Sequence, residues 1–428
     1  MADKESKIEQ KQEKIEDNII FSKENVNMGH QSEVDYLKSY IVFLMGIAHV
    51  YSYYCVGDLG PLIYLSSALT GGGGTMLMMG IGMKYSRHQE VKDYVSRGII
   101  LLTMGQCVNL VRDGLPNLIA WWITGNKTFI TRVLFFLQSD ILIFSGISFL
   151  FFALMKKMKL SDKYILVIGF IMNNCAFLLY KIMKSPDSFL ISKIIGFFLY
   201  TPNTESIFPF FSYFVYVAFG NWLGGIYQKI SNKDKFYNLI LIFCLPSAVI
   251  YYYFRAIYDF PILPKFLTME LYSLNPGPDA IANCTVNVIF LAIGHKITKM
   301  LGGKPPKFIT YGGKNFTQFY IITYVISLQL NTFCSVMKGI KYTYEFKYPT
   351  LLGFINLFVA KILIDMNNNY IHFSIATLKS PIRNFVFVLV YLTTIIILIY
   401  IYPKVEGYAT YPTIEGYTTQ WNEYYSEE

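Results

Sequence analysis

Lys38 and His49 lie eleven residues apart in the stretch VDYLKSYIVFLMGIAHVYSYY. On a helix, eleven steps of about 100° return nearly to the starting face after roughly 16 Å of rise. The two side chains therefore point the same way at two depths of one apolar segment. A neutral imidazole is suited to accept a proton or a transferred group near neutral pH. An ionisable residue inside a run of membrane length is costly, which makes it a candidate for function. Asp140, in FFLQSDILIFSGISFLFF, is a second such residue and needs an interior partner, for which Gln106, Asn109 and Gln138 are the neighbouring choices. Asp58, in VGDLGP soon after His49, is placed equally well to orient the imidazole or simply to begin a turn. At the opposite end of these segments, Arg97 begins a span at the membrane level of Lys38, and the two together could hold the phosphates of an anionic cofactor, while Lys84, Arg87, His88 and Lys92 read as a basic inside loop. His295 and Lys296 suit a helix end, and neither His295 nor His372 has ligand spacing to His49, so no metal site is expected.

The elements that must carry these residues are membrane helices. Hydrophobic residues make up 54% of the 428 residues and charged residues only 15%, with 35 Tyr and 35 Phe, more apolar material than one soluble core needs. Apolar runs of spanning length recur at about 38–55, 61–84, 97–111, 133–155, 164–182, 207–226, 237–254, 281–298, 315–336, 349–366 and 384–402. The expected fold is an all-α polytopic transmembrane bundle of 10 to 11 spans. Residues 188–200 are apolar but short and contain Lys193, so they are assigned to a re-entrant or interfacial helix. Three regions follow: a polar cytosolic tail over 1–34 with no apolar centre and no cleavable signal peptide, a membrane domain over 35–403, and an external Tyr-rich tail over 404–428.

Orientation comes from Lys and Arg. With the N-terminus cytosolic, the tail through Lys38 and the loops Lys84 to Arg97, Lys156 to Lys163, Lys229 to Lys235, Lys296 to Lys314 and Lys361 to Arg383 hold 25 of the 37 basic residues. The same bias accounts for the formal charge of +9, and nucleic-acid binding is not expected. The six cysteines lie scattered in apolar segments without CxxC spacing and are assigned to packing. The run Gly71 to Gly74 suits close helix packing, with a distorted, ligand-exposing helix as the alternative; no Lys-Ser/Thr follows it, which excludes a phosphate loop.

VDYLKSYIVFLMGIAH resembles the opening span of the acyltransferase-3 membrane acyltransferases and their relatives, including the heparan-alpha-glucosaminide N-acetyltransferase group, in which an Arg precedes a His by eleven positions. Lys38 stands at the Arg position and His49 at the His position. GTMLMMGIGMKYSRHQEVKDYVSRGIILL, FPFFSYFVYVAFGNWLGGIY and YGGKNFTQFYIITYVISL resemble, in order, that family's second span with its basic loop, its Gly-rich span and a late span. Three details depart from the family: Lys38 in place of Arg, Arg97 alone in place of a close Arg pair, and Thr323 where a His often follows Tyr320.

The resemblance implies an enzyme of the plasma membrane. Cytosolic acyl-CoA, most simply acetyl-CoA, would bind with its phosphates near Lys38, Arg97 and Arg87. His49, with Asp58 and Asp140 in support, would activate a hydroxyl or amine of a cell-envelope carbohydrate or similar acceptor. A proton-coupled transporter or flippase using Lys38, His49 and Asp140 as a pathway is the alternative.

Overall fold

The computed structural model describes residues 20–54, 61–183, 189–200, 208–258, 260, 263, 274–338, 348–372 and 380–405. Helices account for nearly all of the described chain, and the described residues contain no strand beyond one bridge between Phe21 and Ile230. The long helices are α1 (Ser32–Tyr54), α2 (Pro61–Tyr85) and α3 (Val91–Thr124). A short α4 (Lys127–Val133) and a 3-10 turn (Leu134–Leu137) lead to α5 (Ile141–Lys157) and α6 (Asp162–Ile182). A short α7 (Phe189–Gly196) precedes α8 (Phe210–Tyr227), α9 (Lys233–Ile257) and α10 (Gly277–Met300). A short α11 (Lys307–Lys314) then joins α12 (Phe316–Lys338), α13 (Thr350–Ile371) and α14 (Ser380–Val405). Seven of these helices are by length and hydropathy able to cross a membrane. The chain is a multi-pass membrane protein.

Among the described residues, one end of the bundle gathers parts of each loop expected to be basic. Lys84 at the end of α2 pairs with Asp162 at the start of α6. Lys156 reaches the Gln89 carbonyl at 3.3 Å, and the segment before α1 bridges the α8–α9 turn through Ser22 N–H to the Lys229 carbonyl, 2.8 Å. Ser39 donates to the Ile309 carbonyl at 2.5 Å, and Tyr311 donates to Asp365 at 2.6 Å. These contacts tie the ends of α1, α2, α5, α6, α8, α9 and α13 to α11, as alternating threading requires.

Two spans differ from the sequence expectation. The run at 97–111 belongs to a longer rod, α3, that continues to Thr124 through a π-turn at Leu110–Gly114. Pro116 causes the irregularity: it has no N–H for the Arg112 carbonyl four residues earlier, and the Leu115 N–H bonds the Leu110 carbonyl, five residues back. An equivalent π-turn, Ile240–Cys244 in α9, also precedes a Leu–Pro pair. The run at 133–155 is split, because α5 begins only after Asp140. Its 17 residues rise about 25 Å, short of a ~30 Å hydrocarbon layer, so its N-terminus starts inside the bundle.

The glycine-rich part of α2 is an unbroken helix and a packing seam. A Cβ on Gly80 would collide with the Val217 carbonyl and one on Gly220 with the Leu77 carbonyl, so α2 and α8 cross with backbones nearly touching. A Cβ on Gly73 would lie 2.8 Å from the Tyr216 ring, and one on Gly74 would meet the Asn287 amide. The described cysteines Cys107, Cys175, Cys244, Cys284 and Cys334 are all free thiols.

Candidate functional site

Helix α1 puts Lys38 and His49 on one wall, and α12 packs against the deeper part of that wall. The YGGK sequence brings α12 in: a Cβ on Gly313 would lie 2.6 Å from Asp35 Oδ1 and one on Gly312 2.6 Å from Ser39 Oγ, so α11 lies directly on the first turns of α1. Helix α12 then starts beside α1 and brings Tyr320 and Tyr324 to His49. The His49 ring is 4.4 Å from the Tyr324 ring, tilted by 31°, and 6.2 Å from Tyr320, edge to face. His49 Nδ1 is buried and accepts or donates no hydrogen bond.

Tyr324 carries a second contact. The Arg112 guanidinium sits 4.3 Å from its ring centre, a cation-π contact. Arg112 and Asp113 are each 1% exposed and pair through Nε and Nη2 at 2.5 Å. Both arise from the π-turn of α3, whose extra residue lets two consecutive side chains face the interior. Arg112 also lies within electrostatic reach of His49 and Asp140, and Arg132 within reach of Asp113. This interior thus holds two guanidinium groups against two carboxylates.

Asp140 is the N-cap of α5 instead of a mid-helix residue. Its Oδ1 accepts from the Ile143 N–H at 2.8 Å, and Tyr320 donates to its Oδ2 at 3.4 Å. Gly105 leaves room for the carboxylate, since a Cβ there would be 3.1 Å from Asp140 Oδ1. Asn109 donates to the Gln138 carbonyl at 3.0 Å and Gln106 to Thr394 at 3.1 Å, so neither amide is bonded to Asp140.

The structure therefore joins His49 to Asp140 through Tyr320, and to the Arg112–Asp113 pair through Tyr324. Asp58 lies outside the described residues. Lys38 is half-buried on α1, Arg87 is exposed in the turn after α2, and Arg97 is half-buried on α3 near Tyr94. Among the described residues no ion pair or hydrogen bond engages any of the three or joins them to one another, and Lys38 lies within electrostatic reach of Asp35. They share one end of the bundle but do not form a single cluster. No family model, curated protein or solved structure matches the chain.

Arg112, Asp113, Tyr320 and Tyr324 are the site residues that sequence reasoning missed. For Arg112 and Asp113 the available signal is an Arg–Asp pair between apolar runs in GQCVNLVRDGLPNLIAWW, just past the run at 97–111. Among the described residues no group of His, Cys, Asp and Glu is placed to hold a metal ion. A groove of about 500 Å³, lined by Val26, Asn27 and residues 230–234, opens at the basic end and is separate from this interior.

Proposed function

We propose that the protein is an integral membrane acyltransferase that moves an acyl group from acyl-CoA to a hydroxyl or amine, with its basic end in the cytosol and the plasma membrane as its location. The observation that carries the reading is the half-buried His49, whose buried Nδ1 is unpartnered, packed on Tyr324, which in turn meets the Arg112–Asp113 pair, on the wall that also carries Lys38. A residue meant only to join helices would use its polar atoms on a neighbour; this ring keeps one in reserve.

In that reading the donor enters from the basic end. Lys38, Arg87 and Arg97, spread over that end without an ion pair among the described residues, would attract its phosphates there, Lys38 as a point charge and the arginines as forks. His49 Nδ1 takes the proton of the acceptor as its oxygen or nitrogen bonds the thioester carbon. The carbon–sulfur bond then breaks, and the departing thiolate recovers that proton from the imidazolium. Arg112 supplies positive charge near the oxygen that becomes anionic, and Asp113 holds the guanidinium in place. Tyr320 links the imidazole region to the Asp140 cap. The acceptor reaches His49 from the other side of the bilayer, where an envelope carbohydrate would lie.

Helices interrupted at depth, as at Asp140 and at the α3 π-turn, favour a second reading as a proton-coupled transporter. Purified protein in lipid nanodiscs, given acetyl-CoA labelled in the acetyl group and extracted envelope glycans, separates the two. Labelled glycan that disappears with His49→Gln supports acyl transfer; absence of any transfer, with substrate-coupled proton flux in proteoliposomes, overturns it.

A further inference from the structure

The positive-inside bias accounts for the charge of the loops at the basic end but not for how each loop treats it. Four of them offset a lysine with a nearby carboxylate: Lys92 with Glu90, Lys84 with Asp162, Lys233 with Glu33 and Lys361 with Asp365. The loop from Lys296 to Lys314 does so only near its start, where Lys299 meets Asp234. Beyond that point Lys304, Lys307 and Lys314 are all exposed, and no ion pair among the described residues engages them. No acid is near in sequence, since residues 280–344 contain neither Asp nor Glu.

Apolar side chains stand out from the same segment. Met300 is 85% exposed, Leu301 52% and Phe308 72%. The backbone fixes them in that position. At the end of α10 the Leu301 N–H donates to the Ile297 carbonyl at 3.0 Å, Gly302 to Lys299 at 3.1 Å and Gly303 to Thr298 at 2.9 Å. That closure sets φ at 75° for Gly302 and 84° for Gly303, a conformation natural to glycine. On the far side, Ser39 Oγ donates to the Ile309 carbonyl, and Gly312 and Gly313 lie directly on α1, so α11 cannot roll to bury Phe308. Lys307 and Lys314 are seven residues apart, which places them on one face of α11 two turns from each other. Lysines and apolar side chains are therefore displayed together on a fixed frame, at the end of a helix long enough to span the bilayer.

That combination selects the partner. A soluble acidic protein would neutralise the lysines at a level where lipid already surrounds the end of α10. An anionic lipid surface meets both needs at once, taking apolar side chains at the acyl boundary and lysine ammonium groups among the headgroups. We propose that residues 299–314 are a docking surface for anionic phospholipid in the leaflet at the basic end. Lys304, Lys307 and Lys314 hold the headgroup phosphates, and Met300, Leu301 and Phe308 enter the acyl boundary. Because α11 lies on Asp35 and Ser39, which flank Lys38, the lipid held there borders the wall that carries His49. Nothing in this placement requires acyl transfer.

The test reconstitutes the full chain in nanodiscs with equal amounts of phosphatidylglycerol and phosphatidylcholine, one or the other photoactivatable, and maps the lipid adducts by mass spectrometry. A lysine near an anionic surface favours association by about fivefold, so adducts on residues 299–314 should favour phosphatidylglycerol by at least about that factor. The preference should be smaller on residues 86–93, where Lys92 is paired with Glu90. Combined Lys304→Gln, Lys307→Gln and Lys314→Gln should bring the ratio on 299–314 close to one with little change in melting temperature, and Phe308→Ser should lower labelling by both lipids. Equal labelling by the two lipids, an equal preference on both segments, or a ratio unchanged by the triple variant overturns the proposal. So does loss of the preference to excess glycerol phosphate or polyglutamate at matched ionic strength, which would assign the lysines to a soluble anion or an acidic protein. The ratio on the unmodified protein decides the matter even where a variant fails to fold.

Discussion

Two histidines of this protein sit against tyrosines of a neighbouring helix in nearly the same way and differ in what their nitrogens do. His49 lies 4.4 Å from the Tyr324 ring at 31°, and His295 lies 4.8 Å from the Tyr237 ring at 33°. His295 Nε2 is 3.0 Å from Asp234 Oδ1, and Lys299 reaches the other oxygen of that carboxylate at 2.6 Å. Next to them, Glu33 is 1% exposed and accepts from Lys233 and Tyr237, each at 2.9 Å. At the basic end, then, the imidazole belongs to a closed network joining α1, α9 and α10. In the interior, His49 Nδ1 has no partner although burial makes an unmet polar atom cost about 1–3 kcal/mol. Ring packing alone does not distinguish the two residues; the hydrogen-bond accounting does, and it separates a clamp from a candidate reactive group.

The largest expected effect breaks the comparison directly. His49→Gln should lower acyl transfer by about 10²–10⁴-fold, the range for loss of a general base, with little change in melting temperature. His295→Gln should do the reverse, leaving transfer within about twofold and lowering stability. Both are read from one assay of labelled acetyl transfer and one thermal scan per variant. A stable and fully active His49→Gln protein sinks the catalytic assignment.

The Arg112–Asp113 pair should dominate stability. Removing one partner of a buried ion pair costs about 3–5 kcal/mol, because the other charge is left uncompensated. Arg112→Met should therefore destabilise strongly and abolish transfer, whereas Arg112→Met with Asp113→Leu should recover much of the stability and none of the activity. Recovery of activity in the double variant would show that the pair only supports the fold. Close packing at the α2–α8 crossing comes next. Gly220→Ala places a methyl group against the Leu77 carbonyl, and overpacking of this kind costs typically 1–3 kcal/mol, measurable as a lower melting temperature.

How far these regions could be read beforehand follows from their physics. The apolar runs mark where the eleven longer helices of the described residues lie, because a bilayer demands length and hydrophobicity, though only seven of those helices are long and apolar enough to span it by themselves; the Lys38–His49 relation follows from helical period alone. Residues 188–200, kept out of the count of spans, contain a helix of only 8 residues. Asp140 was recognisable as an interior acid, and Asp before an apolar run is an N-cap signal, but the apolar residues on both sides of QSD read as one continuous span and hid the break at which α5 begins. Arg112 and Asp113 were missed because VRDGLP has the residues of a turn; only the π-turn, forced by Pro116 within a longer rod, turns them inward. Tyr320 and Tyr324 are two of 35 tyrosines, and their pairing with His49 is a tertiary contact set by Gly312 and Gly313 against α1.

The smallest expected effect sharpens the comparison from the other side. Asp234 is 40% exposed and its partner Lys299 63%, so this ion pair lies in water and is screened by salt. Such pairs contribute about 0.2–1 kcal/mol. Lys299→Ala should therefore lower stability by no more than that, and the loss should shrink as salt is raised from 0.05 to about 0.5 M, where the screening length falls well below 10 Å. His295 keeps its hydrogen bond to Asp234 Oδ1 and its contact with Tyr237 in this variant, and transfer should be unchanged. A salt-independent loss above about 2 kcal/mol would mean that the basic-end network is as tightly coupled as the interior pair. In that case the closed histidine would be fixed by a cooperative core, and the contrast with His49 would concern burial more than partnering.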